Sequence, residues 1–182
     1  MKIPEFKIRT DLALEEREGL KEAAEEVSGV SFKKWEGKRS AAQITEVKVL
    51  NEHGAKALGK PMGSYLTLEA DKLLMPDEDF HSEVSDELAL LLKGLLKQKT
   101  GKNILVAGLG NQSVTPDSLG PRTVSNLCVS AEGLKAIAPG VMAQTGMETA
   151  RILLGIIKEV QPDLVIAIDT SGSCSGEIVR RV

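Results

Sequence analysis

Cysteine is nearly absent from this chain, and its scarcity excludes two kinds of protein. Cys128 and Cys174 are the only two in 182 residues. They are too few for a disulfide framework, and neither lies in a Cys-x-x-Cys or Cys/His metal spacing, so a reducing compartment fits. No sign of charge dominates either: 23 basic residues against 26 acidic ones leave a net charge of -3. That balance provides no broad basic face for phosphates, so no direct nucleic acid partner is expected. No run reaches the roughly 18 apolar residues of a bilayer span, and the opening "MKIPEFKIRTDLALEE" has no signal-peptide apolar core. A soluble, cytoplasmic protein without a membrane partner is the expectation. Histidine is also sparse. His53 and His81 each lack a carboxylate at partner spacing and read as surface residues rather than catalysts. Neither "TPDSLG" nor "TSGSCSG" forms a G-x-S-x-G elbow, which disfavours a Ser-His-Asp triad. Cys174 could be a thiol nucleophile, but a small structural cysteine is the simpler reading.

What is present suffices for one domain with a sizeable core, since 42% of the residues are hydrophobic. A helix is expected over Asp11–Val27, ending near Gly29. The segments "QITEVKVL", with Ile44, Val47 and Val49 among polar residues, and "GSYLTLEA" read as antiparallel strands joined by "NEHGAKALGKPMG". From Glu83 to Lys99, Val84, Leu88, Leu91, Leu92, Leu95 and Leu96 recur at three and four, the stripe of an amphipathic helix turned to the core. The run Asn103–Ala107, apolar without a break from Ile104, reads as a buried parallel strand. A helix should then start near Ser118, because Pro121 lacks an N–H and is harmless only in a first turn. "TGME", Thr145 to Glu148, has the form of a capping box for a helix over Met147–Val160, closed by Pro162. "DLVIAID" is a second buried strand finishing at Asp169. This order implies an α/β fold with a mostly parallel central sheet, covered faces and N-terminal antiparallel strands, although only two core strands are evident.

The stretch "NILVAGLGNQSVTPDSLGP" starts like a dinucleotide-binding turn, with Gly108 and Gly110 after a strand, but Ser113 stands where the third glycine belongs. No acidic residue ends a strand about 20 residues further on, so a nucleotide-binding module is the least supported reading. In open parallel sheets ligands lie beyond the carboxyl ends of the strands. Asp169 stands at one such end and Asp117 in the loop leaving another, so the two carboxylates are candidates for one crevice. Asp117 would serve equally as a helix-cap acid and Asp169 as a turn residue. As a pair they would share one proton, acting as base toward water and acid toward a leaving amine, which is hydrolase chemistry. Glu69, ending a strand in "YLTLEA", is a further carboxylate that could approach the crevice.

Five separated segments, "IRTDLALE", "LGKPMGSYLTLEA", "VAGLGNQSVTPDSLGP", "AIAPGVMAQTGMETA" and "PDLVIAIDT", resemble in order the germination protease family of spore-forming bacteria. The resemblance implies an endopeptidase that starts the degradation of small acid-soluble spore proteins. It implies a homotetramer of three-layer, phosphorylase/hydrolase-like fold in the forespore or spore core, acting without a cofactor or metal. Asp117 and Asp169 match the family's proposed catalytic aspartates, of an atypical aspartic type. Gly108, Gly110, Asn111, Gly140 and Gln144 fall in the matching motifs as substrate-binding or loop-shaping positions. "RTDLALE" resembles the family's own substrate site, so a zymogen is expected to cut itself between Asp11 and Leu12, separating a propeptide (1–11) from a single protease domain (12–182). The family's "TTIQ" strand and "GSG" loop are not found, and "TSGSCSGEIVRRV" follows the second aspartate, so the fold is expected to lack the family's C-terminal part. Two alternatives stay open: a metal-dependent maturation-type endopeptidase of the same fold, and a truncated, non-catalytic paralogue that binds spore proteins.

Overall fold

The computed structural model of the chain describes residues 28–96, 103–129 and 132–170. The helix expected over Asp11–Val27, the Asp11–Leu12 bond and Cys174 lie outside them. The N-terminal half builds an antiparallel sheet in the order β1-β2-β3, from β1 (Val30–Glu36), β2 (Gln43–Val49) and β3 (Gly63–Glu69). The register divides the apolar residues of β2 between two sides. Ile44 aligns with Trp35 and Leu68, while Val47 aligns with Phe32 and Tyr65. Side chains alternate with a period of two, so the odd and even positions face opposite ways. As the central strand, β2 buries Ile44 on one face and Val49 on the other, at 0% and 3% exposure.

Each face has its own cover. The segment between β2 and β3 is not a plain connection: it forms helix α1 (Glu52–Leu58), started by Asn51, whose side chain accepts the Gly54 N–H at 2.9 Å, and stopped by Gly59 at φ 63°. Buried Gly54 lets α1 approach β1, since a Cβ there would lie 2.8 Å from the Gly29 oxygen and 3.0 Å from Val30 Cγ2. On the other face, Leu91 and Leu95 of helix α2 (Glu78–Leu96) line one groove with Trp35 and Leu66. Helix α2 begins a turn earlier than its leucine stripe indicates, because Asp77 Oδ1 accepts the Phe80 N–H at 3.0 Å. The stripe is also rotated. Leu88 is 46% exposed, whereas Val84 and Glu87 are buried. Glu87 is turned inward because its carboxylate accepts the Arg39 N–H at 2.9 Å from the β1–β2 hairpin.

The second sheet is parallel, in the order β5-β4-β6. Its central strand β4 (Ile104–Gly108) is the apolar run expected from the sequence, with Leu105, Val106 and Ala107 no more than 5% exposed. A third parallel strand, β5 (Leu134–Ile137), joins the two that were evident in the sequence. β6 (Leu164–Ile168) pairs only with β4 among the described residues and is half-buried rather than buried. Helix α3 (Leu119–Asn126) links β4 to β5, with Pro121 in its first turn as expected. Two glycines set its depth. A Cβ on Gly108 would lie 2.2 Å from the Gly120 oxygen, and one on Gly120 would lie 2.3 Å from the Leu109 oxygen and 2.5 Å from the Ile168 oxygen.

The return from β5 to β6 corrects the capping-box expectation. Thr145 ends a short helix, α4 (Met142–Thr145), closed by Gly146 at φ 68°. The next helix, α5, spans Thr149–Val160 with Glu148 as its N-cap. The Thr145 hydroxyl accepts the Met147 N–H at 3.2 Å, inside the turn between the two helices. Gly146 provides the left-handed turn there, and this ends one helix before the other begins.

Candidate functional site at the strand ends

The connections of the parallel sheet end on opposite sides of β4: α3 leads from β4 to β5 on one side, and α5 leads from β5 past β4 to β6 on the other. The β4/β6 boundary is therefore the switch point of the sheet, where strands diverge at their carboxyl ends and leave a crevice. Asp117 lies in the loop leaving β4 and Asp169 directly follows β6, so the two acids flank this boundary. Pairing continues one residue past β4, with the Leu109 N–H donating to the Ile168 carbonyl at 2.8 Å. That bond places Asp169 beside the start of the glycine-rich loop.

Asp117 does not cap α3. It ends a short 3-10 turn (Thr115–Asp117), and its Oδ2 accepts the Asn111 N–H at 2.8 Å, while its main-chain oxygen accepts the same N–H at 2.9 Å. Residues 111 to 117 thus close into a loop that folds the carboxylate back onto the strand end. Gly110 permits this in two ways. Its φ of 112° is open to glycine, and a Cβ there would sit 2.2 Å from the Asp117 oxygen and 2.8 Å from its Oδ1. The glycines of this loop therefore accommodate a helix and a carboxylate. Asp117 is half-buried and Asp169 exposed. Asp169 Oδ1 accepts the Thr170 N–H at 2.8 Å. No hydrogen bond joins the two carboxylates directly among the described residues, so a proton passing between them would need a water or a substrate group.

The loop after β5 completes the rim. Gly140, at φ 76°, turns the chain into α4, and Gln144 of that helix reaches across to donate from Nε2 to Asn111 Oδ1 at 2.9 Å. The structure thus brings Gly108, Gly110, Asn111, Asp117, Gly140, Gln144 and Asp169 to the carboxyl edge of one sheet. Glu69 is not among them: it ends β3, opposite Gln43 in the antiparallel sheet. Thr170 was overlooked in the sequence; its Oγ1 is buried without a partner among the described residues. Its position directly after a strand-end acid was the available signal. Among the described residues the His53 and His81 rings bond main-chain oxygens, of Ser28 and Leu73. Cys128 is exposed. Among the described residues no three His, Cys, Asp or Glu side chains gather as a metal site, and no helix is long and apolar enough to cross a membrane.

Comparison with known proteins matches residues 8–182 to the model of the germination protease family. The germination protease of Caldanaerobacter subterraneus subsp. tengcongensis is 46% identical over 180 residues, covering 91% of this chain and 54% of that protein. That of Clostridium perfringens is 38% identical over 191 residues, covering 97% and 58%. That of Oceanobacillus iheyensis is 38% identical over 194 residues, covering 93% and 52%. The chain spans about half the length of these curated relatives. A family match over nearly the whole chain leads to one conclusion: this chain belongs to the germination protease family.

Proposed function

We propose that the protein is an endopeptidase that begins the breakdown of small acid-soluble spore proteins at germination, with Asp117 and Asp169 as its acid–base pair. The observation that carries this reading is the position of both carboxylates at the β4/β6 switch point, where a parallel sheet opens a crevice. An extended substrate peptide would lie across the strand ends. One carboxylate removes a proton from water as the oxygen attacks the scissile carbonyl carbon. The resulting tetrahedral species collapses, the C–N bond breaks, and the carboxylic acid returns the proton to the leaving amine. Asp117, held by the Asn111 N–H, has a fixed position from which to orient the water. The same reading places the protein in the spore core, as a zymogen and a homotetramer, with the spore protein rather than its DNA as substrate.

The test is digestion of a purified small acid-soluble spore protein by the wild type, Asp117→Asn and Asp169→Asn, followed by mass spectrometry. Each amide replaces a carboxylate without opening a cavity, and loss of an acid–base partner lowers rates by about 10²- to 10⁴-fold. Near-normal turnover by either variant would remove that aspartate from the chemistry. Binding of the spore protein by the wild type without cleavage would make the chain a binding module instead.

A further inference from the structure

We infer that Asn111 is a catalytic residue of this site, donating from its side-chain amide to the scissile carbonyl oxygen, and that Gln144 positions it. The inference rests on the endopeptidase reading and adds to it a group that stabilises developing negative charge.

Every polar atom of Asn111 but one is engaged. Its N–H donates to Asp117, its carbonyl accepts the Val114 N–H at 3.1 Å, and its Oδ1 accepts both the Ser113 N–H at 3.0 Å and Gln144 Nε2 at 2.9 Å. A main-chain N–H can only donate, so the atom facing Ser113 is the oxygen and the orientation of the amide is determined. The same logic orients Gln144, whose Oε1 accepts the Val141 N–H at 3.3 Å and so leaves its nitrogen turned to Asn111. What remains is Asn111 Nδ2, a donor with two hydrogens and no partner among the described residues. It belongs to a half-buried residue whose own N–H holds the Asp117 carboxylate.

This arrangement suits a specific need. When water attacks a peptide carbonyl, the π pair moves onto oxygen, and a donor already aimed at that oxygen stabilises the transition state without reorganising. Asp117 supplies an acceptor and Asn111 Nδ2 a donor from one closed loop, so a peptide bond between them meets base and oxyanion partner together. Two main-chain N–H donors, Ser113 to Asn111 Oδ1 and Val141 to Gln144 Oε1, keep the amide from rotating. Gln144 comes from helix α4, 33 residues away. Its contact therefore ties the rim after β5 to the rim after β4.

The experiment measures kcat and KM for cleavage of a purified small acid-soluble spore protein by the wild type, Asn111→Ala, Asn111→Asp, Gln144→Glu and the Asn111→Ala/Gln144→Glu double variant. Asp117→Asn serves as the inactive control. Loss of an oxyanion donor is expected to lower kcat by about 10²- to 10³-fold with little change in KM, in both Asn111 variants. Asn111→Asp retains an acceptor for the Ser113 N–H and is informative even where the alanine variant folds poorly. Gln144→Glu keeps its bond to Val141 but turns an oxygen toward Asn111 Oδ1; loss of orientation should lower kcat by about 10- to 100-fold. If Gln144 acts only through Asn111, the double variant should be no slower than Asn111→Ala alone. Wild-type kcat in Asn111→Asp, or multiplying losses in the double variant, overturns the inference while Asp117→Asn remains inactive and the endopeptidase reading stands. Failure of the wild type to cleave overturns that reading and the inference with it.

Discussion

Replacing Gly120 by alanine sets two well-characterised effects against each other, and the structure decides between them. In a helix, alanine is more favourable than glycine by up to about 1 kcal/mol. Gly120, however, is the second residue of α3, and an added Cβ would meet three main-chain atoms: the Leu109 oxygen at 2.3 Å, the Ile168 oxygen at 2.5 Å and the Leu109 nitrogen at 2.6 Å. Backbone cannot move aside as a flexible side chain can, so the clash belongs at the upper end of the about 1–3 kcal/mol typical of overpacking. The net expectation is a loss of about 2 kcal/mol, which for a chain of this length lowers Tm by about 4–8 °C. Gly94 and Gly155 provide the opposite case within the same molecule. Both lie inside helices, and a Cβ on either meets nothing within 4 Å. Their alanine variants should gain about 0.5–1 kcal/mol. Urea and thermal unfolding of the four proteins, with m compared to confirm that midpoints report stability, measures all of this. A Gly120→Ala protein as stable as the wild type, or more so, would refute the claim that α3 is held at its depth by glycine.

Glu87→Ala should destabilise the protein by about 1–3 kcal/mol in urea unfolding, because it leaves the Arg39 N–H without its acceptor; Glu87→Gln, which keeps an acceptor, should lose less. Cys174→Ala and His53→Ala should cleave spore protein at the wild-type rate, and a large loss of rate at unchanged Tm would bring a thiol or imidazole mechanism back. Full-length protein incubated at mildly acid pH should acquire a new N-terminus at Leu12 by mass spectrometry, whereas Asp117→Asn should not; equal processing in both would assign that cut to another protease.

What the sequence determined by itself was local or periodic. The unbroken apolar run of β4 marked a strand covered on both faces, and β4 is the centre of its sheet. Pro121 located the first turn of α3, and the leucine spacing located α2, because each depends on residues within a turn or two. The positions of Asp117 after one strand and Asp169 after another were legible for the same reason. The tertiary structure decided the rest. β5 has only four residues, "LKAI", with a lysine among them. It becomes a strand through pairing with β4, which no window of its own sequence contains. The burial of both Ile44 and Val49 followed from β2 being central, and the inward turn of Glu87 from a hairpin N–H 48 residues before it. The hydrogen bond from Gln144 to Asn111 joins residues 33 apart. Propensity and capping act between neighbours along the chain, but strand order and the orientation of a side-chain amide depend on groups that only the folded chain brings together. For that reason both acids were apparent in the sequence, while the Asn111 amide donor, unpartnered among the described residues, emerged only once the loops met at the strand ends.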